Sequence, residues 1–187
     1  MKKFLFSTIF CTLAVYGLAE PMSDLERLEN VIDQAQKKPK PYNLPQHDFR
    51  QMNLDAIENI DFNGSNFRGG NFSGTAQAPK AITNIDFSGC NLQGANFSHT
   101  IIQQCTFKKA QLNQANFTGS HIKYCSFRDA VLEGANMNQT DQESVSYDAS
   151  DLKKSLWNEV KLFRISFTGA DERGWQRESV QEKECSH

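Results

Sequence analysis

The sequence predicts an all-β solenoid, a quadrilateral β-helix with five-residue sides, and three observations carry that prediction. A large apolar residue recurs at every fifth place, through Phe97, Ile102, Phe107, Leu112, Phe117, Ile122 and Phe127. A small or β-branched residue stands two places earlier, as in Ala95, Thr100, Cys105, Ala110, Ala115, Ser120 and Cys125. The large residues also sort into columns twenty apart: Ile82, Ile102 and Ile122 in one, and Leu92, Leu112, Leu132 and Leu152 in another.

Neither regular element fits this beat. Five steps along an α-helix leave a net rotation of about 140°, so the stripe would wind around the helix. Five steps along a strand alternate faces. A chain that turns a corner every five residues resolves the conflict, because the central large residue and the small one before it both point inward on every side. Such a side cannot bury its own apolar group, so sides close into coils and coils stack. Twenty residues make four sides, stacked about 4.8 Å apart at the strand spacing. Aromatics on two opposite sides and aliphatics on the other two would fill a square interior.

The elements follow in chain order. Lys2 and Lys3 precede an apolar run from Phe4 to Leu18 that ends before Glu20 and Pro21, which predicts a secretory signal peptide over residues 1–19, cleaved after Ala19. The run falls short of the roughly twenty residues a membrane span needs, so no stable span is expected. Its removal takes away two lysines and leaves 18 basic against 22 acidic residues, a formal charge of −4. Residues 20–43 combine an amphipathic helix with a Pro-rich linker: Leu25, Leu28, Ile32 and Ala35 share one helical face, and Ser23 with Glu26 forms a capping box. Such a helix would cover the open first coil.

The repeat domain spans 44–171 and is regular from residue 60. Phe49 and Leu54 are out of phase with Phe62, which places an insertion within Ala56 to Asn59. From Phe62 to Phe167 the phase is broken only by Gln77 and Gln142. Gln77, with Pro79 nearby, marks a distorted side or a small protruding loop, and Gln142 marks a second soft spot. The aromatic column reads Phe67, Phe87, Phe107, Phe127, Tyr147 and Phe167. Residues 172–187 are polar apart from Trp175 and Val180, and are expected as a polar tail that either caps the other end or stays disordered.

"CNLQGANFSH", "AQLNQANFTG" and "AVLEGANMNQ" resemble the A-[D/N]-[L/F]-x-x unit of pentapeptide-repeat proteins. The resemblance runs continuously through residues 60–171. It implies the right-handed quadrilateral β-helix of that family, with handedness coming from the resemblance alone, and an exported bacterial member in view of the leader.

Chemistry is sparse. No catalytic constellation is legible, so no enzyme, cofactor or metal site is expected; His47, His99, His121 and His187 are spread out. Cys105 and Cys125 are the disulfide candidates, because a twenty-residue separation sets them one above the other, with Cα atoms inside the bridging window of about 4.4–6.8 Å. Stacked reduced thiols fit the same spacing, and both states remain open. Leu156 and Phe163 are apolar at outward positions close in sequence to Trp175, which marks the three as a tail-docking or interface candidate, including a homodimer through the C-terminal end.

The functional expectation is a non-catalytic protein-binding or structural scaffold, periplasmic or secreted, with an unknown protein partner. No basic face invites nucleic acid. Two alternatives stand beside it. Some cytoplasmic members of the resembled family mimic DNA with an acidic rod and bind type II topoisomerases, protecting them from quinolones; a charge of −4 and an export signal argue against that role here. A secreted host-directed factor shares the scaffold's physics and differs in destination.

Overall fold

A computed structural model describes residues 62–187. The predicted leader, capping helix, linker and insertion near residue 56 lie outside the described residues. Within them the chain is a parallel β-solenoid. One side of each coil forms a short strand, and six of these stack into a parallel sheet: β1 (Lys80–Thr83), β2 (Thr100–Gln103), β3 (His121–Lys123), β4 (Asp141–Glu143), β6 (Lys161–Phe163) and β8 (Gln181–Lys183). β5 (Leu156–Asn158) and β7 (Gln176–Glu178) pair on an adjacent side. No helix among the described residues is long and apolar enough to cross a membrane.

The corners follow from local backbone chemistry. On most sides the residue after each corner donates its N–H to the carbonyl of the large residue three places earlier, as Ala110 does to Phe107 and Ala115 to Leu112, both at 3.0 Å. The residue just before that donor has positive φ, for example 59° at Lys109 and 58° at Gln114, which makes these type II turns. Asn before the large residue reinforces the turn. Oδ1 of Asn96, Asn116 and Asn136 each accepts the N–H two residues later at 3.0 Å. That explains why Asn so often fills this slot.

Between coils, backbone groups pair along the axis. Phe107 donates to the Ser126 carbonyl at 2.7 Å, and Ser126 donates back to Cys105 at 3.2 Å. Inside, every large ring from Phe62 to Phe167 is buried. Rings stack from coil to coil, with Phe107 and Phe127 centroids 4.7 Å apart, and meet edge to face across a coil, as Phe97 and Phe107 do at 5.9 Å and 87°. Each such contact adds about 0.5–1.5 kcal/mol beyond area burial.

Three expectations change on contact with the structure. The first coil holds twenty-five residues, because Asn66 pairs with Asn91 and Asn71 with Asn96, whereas Lys80 pairs with Thr100. Residues 75–79 are an exposed loop, closed by reciprocal Thr75 and Ala78 backbone bonds of 3.0 and 3.1 Å. Phe87 therefore stacks on Phe62, at 5.8 Å and 19° between planes, while Phe67 meets Phe87 only edge on. A loop one whole unit long leaves the five-residue phase unbroken, which hid the shift from the sequence.

Gln142 is no soft spot. It is fully buried within β4, and its polar groups are satisfied by Tyr147 and Thr140 at 2.9 Å each.

Residues 172–187, expected as a polar tail, form a further coil that carries β7 and β8 and covers the preceding one, the capping alternative of the two. Its inward positions hold Glu172, Arg177, Glu182 and His187 where earlier coils hold apolar residues. Arg177 pairs with Glu182, and His187 lies 3.2 Å from Glu172 and 3.5 Å from Glu182 while stacking on Phe167 at 5.1 Å. The segment reads as polar because its buried-phase residues form an ionic ring above the apolar core.

Candidate functional site

The sheet side presents two outward columns that flank each buried residue. One runs Ile101, His121, Asp141, Lys161, Gln181, and the other Gln103, Lys123, Glu143, Phe163, Lys183. Parallel in-register stacking sets each residue directly beside its counterpart in the next coil. Opposite charges accordingly pair up the rod at Lys123, whose Nζ lies 2.9 Å from Glu143 Oε2, and in the other column His121 Nδ1 lies 3.9 Å from Asp141. At the corner, Arg164 Nε lies 2.8 Å from Glu184. Lys123 holds the Glu143 carboxyl below its usual range and is itself raised by that contact. Arg164 does the same for Glu184.

Tyr124 sits at the corner of this side with a φ of 55° and is 56% exposed, which makes it the one exposed large hydrophobic among the described residues. Its hydroxyl donates to Glu143 Oε1 at 3.3 Å. Phe163, two coils further along, is flanked by Arg164 at 4.6 Å and Lys183 at 5.5 Å from its ring centre, both within cation–π range. A shallow, open groove follows the corner beside Tyr124, lined also by Arg164, Cys105, Cys125, Thr106 and Ser126.

The sequence candidates are distributed unevenly around this surface. Cys105 and Cys125 are buried free thiols at its corner. Leu156 lies on the adjacent side in β5, with Gln176 stacked over it. Phe163 lies on the sheet side with Lys183 stacked over it. Trp175 fills an inward small-residue position, its ring 5.1 Å from Trp157 and 5.2 Å from Phe167, with Arg177 4.4 Å above it. Leu156, Phe163 and Trp175 thus occupy three different settings rather than one patch. Tyr124 was missed, although an aromatic at an outward corner position was its legible signal. No group of three or more His, Cys, Asp or Glu side chains able to hold a metal ion occurs among the described residues.

Five-residue sides, type II corners, Asn-braced turns and an in-register parallel stack define a pentapeptide-repeat solenoid. The family model for the pentapeptide repeat region matches residues 60–137 and, overlapping, 80–157, and the chain belongs to that family. Among solved structures, a trypsin-treated form of QnrB1, described as a plasmid-mediated fluoroquinolone resistance protein, is 16% identical over 78% of this chain and 72% of its own, with a TM-score of 0.57. A pentapeptide repeat protein of the Arabidopsis thaliana thylakoid lumen is 28% identical over 43% of this chain and 59% of its own, with a TM-score of 0.28. HetL of the cyanobacterium Nostoc is 14% identical over 86% and 95%, with a TM-score of 0.25. The likeness to QnrB1 is one of fold. No curated protein matches the chain.

Proposed function

We propose that this protein is an exported, non-catalytic scaffold that binds a protein partner through its sheet side, around Tyr124 and Phe163. The observation that carries the reading is Tyr124. A ring 56% exposed, in a repeat whose large rings face inward apart from Tyr124 and Phe163, supplies the amphipathic contact area that protein interfaces favour. The alternating Lys123, Glu143 and Arg164 charges around it suit a partner of complementary polar pattern. They also weigh against DNA mimicry, which needs an uninterrupted acidic face. The leader predicted from Lys2, Lys3 and the run to Leu18 supports a periplasmic or secreted destination.

The test is cross-linking and affinity capture from the native envelope, comparing the wild-type chain with a Tyr124→Ala/Phe163→Ala variant. A partner recovered by the first and lost by the second supports the reading. Equal recovery by both chains removes this face from consideration. Mass in solution reads out a second copy as the partner, and an intact mass that retains residues 1–19 would rule out cleavage after Ala19.

A further inference from the structure

Cys105 and Cys125 repeat one geometry a coil apart. The Cys105 thiol donates toward the carbonyls of Gln103 at 3.3 Å and Ile82 at 3.4 Å. The Cys125 thiol donates toward the equivalent carbonyls, Lys123 at 3.2 Å and Ile102 at 3.6 Å. Identical partners fix identical rotamers, so the two sulfurs point the same way and are displaced along the axis by one coil repeat, about 4.8 Å. A disulfide would have to draw them to about 2.05 Å against that lattice. Two metal–thiolate bonds of roughly 2.3 Å, the zinc–sulfur length, laid end to end span about 4.6 Å, close to that coil repeat.

We infer that Cys105 and Cys125 form a two-coordinate site for a soft monovalent cation, Cu(I) or its analogue Ag(I). Thiolate sulfur is the ligand type that selects such ions. Binding exchanges two thiol protons for one cation, leaving a bis-thiolate complex of net charge −1 and two protons released to solvent. The pair is reachable: both residues line the corner groove, and they keep 2% and 4% exposure where Cys90 has none. Cys185 supplies an internal control. It makes the same bonds, to Lys183 at 3.5 Å and Leu162 at 3.8 Å, but Val145 and Ile165 occupy the column between it and Cys125.

The experiment titrates the full chain anaerobically with Cu(I) as its acetonitrile complex against a competing chelator, with Ag(I) as a redox-inert probe in native mass spectrometry. Ser replaces Cys at inward positions such as Ser150 and Ser155, so Cys105→Ser and Cys125→Ser are expected to fold, with circular dichroism as the check. One equivalent should bind the wild type and the Cys11→Ser/Cys90→Ser/Cys185→Ser variant, with two sulfur neighbours by X-ray absorption. Each single Cys105 or Cys125 variant should lose more than the roughly 10–100-fold that an outer-shell change costs. Stoichiometry unchanged by Cys105→Ser, no ion bound, or a pair that remains a disulfide under reducing conditions would each overturn the site.

Discussion

Tyr147 donates its hydroxyl proton to Oε1 of Gln142 over 2.9 Å in the centre of the core, with both side chains fully buried. The bond continues outward: the Gln142 amide donates to Thr140 Oγ1 at 2.9 Å, and that hydroxyl donates to the Met137 carbonyl at 2.8 Å. Burial raises the Tyr147 phenol well above its usual range, so it stays a donor. Removing one partner leaves the other unsatisfied, which costs about 1–3 kcal/mol. Tyr147→Phe should therefore lower the urea midpoint. Tyr147→Phe/Gln142→Leu should recover much of the loss, because Leu and Ile already fill this column at Ile122 and Leu162. A double variant no better than the single would show that the bond contributes little.

The loop at residues 75–79 predicts an unusual tolerance. Gly74 and Lys80 already lie together, since a Cβ built on Gly74 would come within 2.4 Å of Lys80 N and of the His99 carbonyl oxygen. Deleting residues 75–79 should join them as an ordinary corner, restore a twenty-residue first coil, and preserve the folded circular dichroism spectrum. Gly74→Ala in the full chain should do the opposite, because both clashing atoms are backbone and cannot rotate away. A melting temperature unchanged by Gly74→Ala would contradict this geometry.

Acid should weaken the outer face in a defined direction. Glu143 is held low by Lys123, Glu184 by Arg164 and Asp171 by Arg173. A carboxyl whose folded value is depressed contributes stability above its unfolded value, near pH 4, and loses it as pH falls through the lower folded value. Glu143→Gln should accordingly flatten the fall of melting temperature between about pH 5 and 2. The groups lie at the surface, half-buried or exposed, so high salt should shrink the difference between the two chains. Parallel pH profiles for both chains would remove Glu143 from the account.

Corner residues carry a cost that glycine would relieve. Lys109 has a φ of 59°, and a left-handed conformation costs a non-glycine residue roughly 1–2 kcal/mol. The entropy glycine loses on folding offsets about 0.5–1 kcal/mol of that. Lys109→Gly should then stabilise by up to about 1 kcal/mol in urea unfolding, and a clear destabilisation would mean that the Lys109 side chain matters more than its backbone.

The five-residue beat, the inward rings and the four-sided coil were legible in the sequence because each depends on residues a few places apart. The sheet-side charge ladder was implicit in the twenty-residue columns, and Tyr124 was visible as an outward aromatic. What escaped depends on phase or on partners. A periodicity of five is blind to the insertion of one whole unit, so Phe62 rather than Phe67 lies stacked on Phe87. A polar residue at a buried phase looks like a defect until its partner is seen, as with Gln142 and Tyr147. Glu172, Arg177, Glu182 and His187 looked like a tail because hydrophobic pattern alone cannot announce an ionic ring.

The sequence by itself determined which side chains face inward, since the corner geometry repeats locally and each side solves the same burial problem. Only the tertiary structure decided which coil lies on which, and with it the residues that meet across coils. Phe62 lies on Phe87, and His187 on Phe167, because stacking couples coils whose order and extent the five-residue beat alone does not fix.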